Sequence, residues 1–481
     1  MRRAASLLLV ALWIGGCALG PNYKRPSAPM TPRYRGQEVA EATSFADLPW
    51  WDVFRDPSLS ALIREALANN YDLQDAAARI EVARENARIS TDQLLPAIGI
   101  QGGPAYQQIF AGSFPGVPPG NIRFPAYSLQ ATLSWEIDLW GRLRRLRQAA
   151  IADFFATEEN RRGVIVSLIG SVAQSYFNLL SLDLQLEVTR STVQSRQETL
   201  ALFQERLVGG VGDALDTTSE EALLASARAT LVDLERQIAL TENQLSFLVG
   251  RPPGPIRRAD ELLKGAAPAD QPAGLPAALL ERRPDVRQAE AQLVSANAQV
   301  GAAFAALFPT ISFSASGGVE SSSLATLFTS GGVTFALSLL VNWLAPVLNG
   351  AQYAHRYRGQ QASYRVVLAD YRRVVLNALV EVSNALIAIK SFRAERADLE
   401  DEVRAQTERL RLAKVRFRNG VASYLDVVQA EQNLFPAQLS LAQTIGAQFI
   451  ATAQLYRALG GGWTQPPPPA KRDNAKSQAL K

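Results

Sequence analysis

Val172, Leu179, Leu186, Val193, Leu200 and Leu207 recur at intervals of seven, and 210 residues later the run returns as Val382, Ile389, Arg396, Val403, Leu410 and Phe417. A sustained seven-residue apolar period in a helix puts one seam against a neighbouring helix and imposes left-handed supercoiling. The segments that follow repeat as well: Leu224, Leu231, Ile238 and Leu245 answer to Leu434, Leu441, Gln448 and Leu455. Helices over Arg142 to Leu207 and Ala351 to Phe417 would each be about 100 Å long at about 1.5 Å per residue. No globular core has that length, so the helices must form a bundle or tube.

Upstream the copies are offset by 213, with Asp72, Ile80 and Pro96 matching Asp285, Leu293 and Pro309. The chain is an internal duplication, and each half reads helix, strand, loop, strand, very long helix, turn, helix. The first half predicts a helix over Leu59 to Leu94 and strands over Ala97 to Tyr106 and Tyr127 to Ile137. The second predicts a helix over Pro276 to Ala306 and strands over Thr310 to Val319 and Gly332 to Leu344.

Tyr127 to Asp138 shows what the strands are for. Tyr127, Leu129, Ala131, Leu133, Trp135 and Ile137 take one parity, and Ser128, Gln130, Thr132, Ser134, Glu136 and Asp138 the other. That is a strand with one apolar and one wet face, and its length suits a tilted bilayer crossing of about 9 to 11 residues. Soluble sandwiches show the same alternation, so the surrounding chain decides. Four strands cannot close a lumen, and hydrocarbon does not tolerate open edges, so several copies must share one barrel. Three copies give twelve strands, although counting alone leaves two or four open. The loops at Gly102 to Pro125 and Ser316 to Gly332 read as surface turns. Trp135, Trp140 and Trp343 fall where strands return to helices, and Arg142, Arg144, Arg145 and Arg147 follow. They read as an aromatic rim with headgroup-facing arginines, or more simply as a solvated helix start.

At the N-terminus, Arg2-Arg3, the apolar run Ala4 to Ile14 and Gly15-Gly16-Cys17 form a secretory signal. Cys17 is the only cysteine, so no internal disulfide is available, and Ile14 to Cys17 resembles the lipoprotein box whose cysteine is acylated. Net charge is +4, with both signs interspersed along the chain, which argues against a nucleic-acid surface. One histidine, His355, and one cysteine leave little for a catalytic or metal site; no enzyme, cofactor or metal centre is expected. A coiled-coil spacer lipoprotein is a further class, against which the strands argue.

The lipoprotein box, Gly20-Pro21-Asn22-Tyr23, Trp50-Trp51-x-x-Phe54-x-Asp56-Pro57, the duplication and Ala458-Leu459-Gly460-Gly461-Gly462-Trp463 together resemble the outer membrane factors. These are the TolC-like exit ducts, and the lipoprotein branch typified by OprM is most similar. The resemblance implies a membrane α+β fold: a homotrimeric 12-stranded β-barrel, four strands per chain, continuous with a long α-helical barrel. It implies a chain anchored by lipid in the outer membrane of a Gram-negative bacterium and extending through the periplasm. The implied partners are outer membrane lipid, a periplasmic adaptor and an inner-membrane pump of the RND type or similar, serving small-molecule efflux. Protein secretion or metal efflux are the alternatives. The segments expected are a signal peptide over 1–16, an N-terminal lipid-anchored and equatorial segment over 17–58, the first repeat over 59–250, an equatorial linker over 251–275, the second repeat over 276–462 and a C-terminal tail over 463–481.

The helix reversals carry the mechanism. Gly210 and Gly420 are left-handed helix stops, Asp213 and Ser423 sit at N-cap positions, and Asp216 and Asp426 stand three residues on as capping-box partners. The resemblance gives the same two aspartates a second role, as threefold acidic rings closing the tip, with Arg206, Arg416 and Arg418 as partners. Phe417 fills a position often tyrosine and would lack its hydroxyl bond, Gln429 replaces a frequent acid, and Ala422 an occasional arginine. The turns around Gly209, Gly210 and Val211 and around Asn419, Gly420 and Val421 are the expected docking points for the adaptor.

Overall fold

A computed structural model describes residues 18–28, 30–37, 44–49, 53, 56–110, 120–258, 272–329, 332–342 and 349–462. The signal, Cys17, Trp50, Trp51, Phe54, Trp343 and Trp463 lie outside the described residues. Helix α1 spans Pro57–Asn69 and α2 Tyr71–Asp92. Strands β1 (Ala97–Phe110) and β2 (Asn121–Ile137) lead into α3 (Arg142–Val208) and α4 (Ala214–Leu248). The second copy has α5 (Pro284–Ala305), β3 (Thr310–Ser321), β4 (Gly332–Asn342), α6 (Gly350–Arg418) and α7 (Tyr424–Ala458).

The duplication is kept even in its irregularities. The helix expected over Leu59 to Leu94 is broken at Asn70, and the one over Pro276 to Ala306 at Arg283, 213 residues on. Asn70 starts α2 by accepting from Leu73 N at 3.1 Å while its amide donates to Leu248 O at 3.0 Å. At Arg283 the following Pro284 disfavours helical backbone, and ψ there is 122°. Gly210, Gly250, Gly420 and Gly460 all have φ between 70° and 77°, and each ends a helix with the paired backbone bonds of a Schellman turn. At the first, Gly210 N donates to Leu207 O at 3.1 Å and Val211 N to Arg206 O at 3.0 Å.

Two compact units cut across the repeats. One comprises Met1–Ser27, Arg79–Glu158 and Gln288–Tyr371, and the other Ala28–Ala78, Glu159–Arg287 and Arg372–Lys481. The first unit holds a single antiparallel sheet in the order β1-β2-β3-β4. Its strands outrun the expected ones: β1 and β2 continue pairing as far as Phe110 with Asn121, and β3 reaches Ser321. Pro104 is accommodated because β1 is an edge strand. The register stacks the apolar parity on one face: Ile98 opposite Leu133, Leu133 opposite Ala315, and Ala315 opposite Leu337. Ile98, Ile100, Tyr106, Val333, Phe335, Leu337 and Leu339 are all exposed on that face. The other face carries polar pairs, with Gln101 donating to Gln130 at 3.2 Å and Ser314 bonded to Ser338 at 2.7 Å, and the apolar Leu340 is exposed on it. Among the described residues the outer edges of β1 and β4 have no strand partner.

Three of the four arginines expected to face headgroups are used internally. Arg142 pairs with Glu136 at 2.7 Å and Arg144 with Asp138 at 3.2 Å. Arg145 is buried and donates to the carbonyls of Ala18, Leu19 and Gly20 and to Asn22 Oδ1 at 2.8 Å. Three successive carbonyls of an extended segment need a donor array, and one guanidinium supplies it. Burial lowers the Arg145 pKa, with Arg144 adding repulsion. Close backbone approach holds the same segment, because a Cβ at Gly20 would stand 2.6 Å from Gly301 Cα.

The second unit packs the heptad seam. Val172, Leu179, Leu186, Val193, Val382, Leu224, Ile238, Leu245 and Leu455 are buried, while Leu207 is exposed where the seam ends. Both α3 and α6 contain a window apolar enough to cross a membrane by composition alone; in α3 over half of it is buried against the protein, as in a core helix. Asp56 of the Trp-Trp motif caps α1 through Ser58 N and accepts from Tyr176 OH at 2.7 Å.

Candidate functional site

The two glycine reversals are the candidate site. Asp213 caps α4, its carboxylate accepting from Leu215 N at 2.8 Å. Ser423 occupies the matching N-cap position of α7 without a side-chain bond. Neither Asp216 nor Asp426 closes a capping box, which corrects that expectation. A box does form at Ser44, where Asp47 reaches back to Ser44 N at 2.9 Å across a tighter 3-10 turn; in an α-helical first turn aspartate is one methylene shorter than the usual glutamate. Asp216 is half-buried and Asp426 exposed. Burial raises the Asp216 pKa, the Asp213 charge adds to it and Arg206 opposes it.

The arginines do not meet the aspartates within the chain. Arg206 lies over the rings of Phe203 and Phe417, at 5.7 and 5.6 Å from their centroids. Arg416 and Arg418 are exposed, and among the described residues neither forms an ion pair. Phe417 packs against Phe203 and Tyr424, with centroids at 6.2 and 5.1 Å, so its ring belongs to the apolar core above the turns. Around it Phe203, Ala413, Val427, Val428 and Ala430 are buried. Val208, Val211, Leu215, Val421 and Leu425 are exposed apolar side chains at or beside the turns.

Just inside the turns is a buried charged cluster that the sequence reading did not name. Tyr424 OH donates to Glu220 Oε1 at 2.5 Å, and Lys414 pairs with Glu431 at 2.9 Å. Arg196 donates to Leu223 O and lies 5.4 Å from the centroid of Phe435. Glu220, Glu431 and Arg196 are buried, and each keeps one polar atom without a partner. Burial raises the Glu220 pKa, the Tyr424 bond opposes it, and the Glu431 charge adds to it. The Tyr424 hydroxyl is pushed up by burial and by Glu220. A cavity of about 390 Å³ adjoins the cluster, lined in part by Arg196, Glu431, Phe435, Ser191 and Ser195. The signal was present in the heptads: Arg196 stands three residues after Val193 and Glu431 three before Leu434, on core positions where a charge is unexpected.

Near the strands, Trp135 Nε1 donates to Leu94 O at 3.0 Å and Trp140 Nε1 to Pro309 O at 2.7 Å. Both indoles tie strand ends to helix ends. His355 is an exposed residue of α6. Among the described residues no group of three or more His, Cys, Asp or Glu is arranged to hold a metal ion.

A sheet with an exposed apolar face and open edges, joined to duplicated helices of about 100 Å by their rise per residue, defines a channel subunit of an outer membrane. The sequence profile described as outer membrane efflux protein matches residues 62–251 and 275–461, and the chain belongs to that family. It is 32% identical over 464 residues to the toluene efflux pump outer membrane protein TtgC of Pseudomonas putida, covering 95% of each chain. It is 30% identical over 470 residues to the cation efflux system protein CusC of Escherichia coli, covering 95% of this chain and 98% of CusC. The solved outer-membrane channel OprN superposes with a TM-score of 0.82 at 28% identity, over 93% of this chain and 100% of OprN. The chain is an outer membrane component of an efflux system.

Proposed function

We propose that three copies form the exit duct of a tripartite efflux system, taking small organic molecules from an inner-membrane pump and a periplasmic adaptor to the exterior without catalysis. The observation that carries this reading is the continuous apolar sheet face ending in two unpaired edges, since lipid solvates neither edge. Small organic cargo is favoured by the likeness to a toluene efflux component. Cys17 would be acylated, and Arg145 would hold the segment that follows it. Trp135, Trp140 and Trp343 would lie at the membrane rim.

The exposed apolar residues Val208, Val211, Val421 and Leu425 support adaptor docking at Gly209 to Val211 and Asn419 to Val421. Asp216 and Asp426 would each form a ring of three carboxylates at the tip. Arg416 and Arg418, exposed and without an in-chain ion pair, would serve neighbouring copies, while Arg206 acts on Asp216 through space. The test is Asp216→Ala with Asp426→Ala in planar bilayers. Higher single-channel conductance and weaker cation preference are expected, and unchanged values of both would remove the aspartates from the gate.

A further inference from the structure

The buried charges behind the turns are not repeated by the duplication. Adding 210 to Glu220 gives Ala430 and to Arg196 gives Gln406, while subtracting 210 from Lys414 and Tyr424 gives Gln204 and Ala214. Glu220 and Ala430 are both 0% exposed. An alanine fills that position in one copy, so packing alone gives no reason for a carboxylate in the other. Glu431 maps onto Glu221, which is exposed to solvent.

Helices α3, α4, α6 and α7 bring Arg196, Glu220, Lys414 and Glu431 to the cluster, and Tyr424 joins them from α7. Glu220 uses Oε1 to accept from Tyr424, and Glu431 uses Oε1 to pair with Lys414. Oε2 of each is buried without a partner. Tyr424 and Glu431 are seven residues apart and so share one face of α7, and the Glu431 charge acts on Glu220. Two buried like charges combine desolvation with mutual repulsion, and each has an unsatisfied oxygen. One proton between the two oxygens removes a charge and gives both atoms a partner. A hydrated ion cannot do this, because neither oxygen is reached by solvent, and Arg196 and Lys414 would repel a cation.

We propose that Glu220 and Glu431 share one proton, forming a proton-binding site that ties α4 to α7 directly behind the turns. With the proton bound, Glu220 Oε2–H donates to Glu431 Oε2. One negative charge remains on the pair, balanced by Arg196 of α3 and Lys414 of α6 and stabilised by the Tyr424 hydroxyl. Asp216, one turn before Glu220 on α4, acts on Tyr424. The proton comes from water and returns to it, and the cavity lined by exposed Ser191 and Ser195 leads to Glu431. Burial, the largest influence on Glu220, and the Glu431 charge raise its pKa, while Tyr424, Arg196 and Lys414 oppose them. A raised folded value makes the tie complete below the ordinary carboxyl range and lost as pH rises through the folded titration. Alkaline conditions therefore leave two carboxylates in one buried site and loosen the turns. The pair lies within one chain, so it holds or fails independently of barrel closure.

The test uses the full-length protein in lipid nanodiscs and two readouts. Infrared spectra taken about two pH units above the ordinary glutamate value of about 4.3 should contain a protonated-carboxyl C=O band that Glu220→Gln and Glu431→Gln each remove. Hydrogen exchange, corrected for intrinsic rates, follows opening at Thr217 to Leu224 and Val427 to Leu434. With one proton held in the closed state and none in the open, opening should become about tenfold more frequent per pH unit between the ordinary value and that of the pair. Glu220→Gln, whose amide keeps a donor beside Glu431 without titrating, should hold opening level over that range. Absence of the band, a band that survives both substitutions, or level wild-type protection overturns the shared proton. Should the glutamine variants not assemble, the wild-type slope decides: tenfold per unit supports the pair and a flat profile overturns it. Neither readout involves conductance, so failure of the pair is told apart from failure of the duct.

Discussion

Removing one hydroxyl should loosen the helix reversals from within. Tyr424→Phe keeps the ring that packs 4.2 Å from Phe203 by centroid but deletes the 2.5 Å bond to Glu220. Glu220 already has an unpartnered oxygen and no exposed surface, so water cannot replace the donor. A hydrogen bond to a charged group contributes about 1.5 to 3 kcal/mol. Because about 1.4 kcal/mol is a factor of ten, local opening of the first turns of α4 and α7 should become about 10- to 150-fold more frequent. Hydrogen exchange of amides in Thr217 to Leu224 and Val427 to Leu434 reads that directly. The pH dependence has a definite sign. The Tyr424 bond favours ionised Glu220, so the loss should shrink on acidification through the Glu220 titration. In the parent, Glu220 has a raised pKa; its contribution to stability is therefore present below the ordinary carboxyl range and is lost as pH rises through the folded value. Protection in Tyr424→Phe within twofold of the parent at neutral pH would refute the reasoning.

Other perturbations separate the remaining parts of the account. Leu337→Lys, on the apolar sheet face, should cost about 2 to 4 kcal/mol if it reaches the bilayer midplane, whereas Thr334→Lys on the polar face should be tolerated; urea titration of membrane-inserted protein distinguishes them. Gly210→Ala and Gly420→Ala force a Cβ into left-handed backbone, at about 1 to 2 kcal/mol each, and should speed proteolysis at the turns without changing the mass of the assembly. Arg145→Ala removes the donor for three carbonyls and should expose 18–25 to protease, while Arg147→Ala, at an exposed site, should not.

Periodicity made most of the fold legible. Alternation of two located β2, the duplication placed the other strands, sevens located the long helices, and Gly210 and Gly420 stand two residues beyond the helix ends at Val208 and Arg418. Pro284 carried a signal that the helix expected over Pro276 to Ala306 overlooked, because the residue before proline avoids helical backbone. Asn70 gave no comparable warning, since its role depends on Leu248, 178 residues away. Arg145 was hidden for the same reason. It stands in a run of four that looks like a headgroup patch, and only tertiary contact reveals that it serves Ala18 to Asn22. At the turns the sequence located the aspartates but not the Glu220, Arg196, Glu431, Lys414 and Tyr424 cluster. A charge on a heptad core position announces an exception without naming its partner.

If chain copies close one barrel by pairing β4 with β1 of the next, electron cryomicroscopy of the protein in lipid nanodiscs will show the closure. A closed twelve-stranded barrel of three chains with the Ile98 to Leu337 face against lipid is the expected result, and a lone four-stranded sheet with both edges unpaired would contradict it.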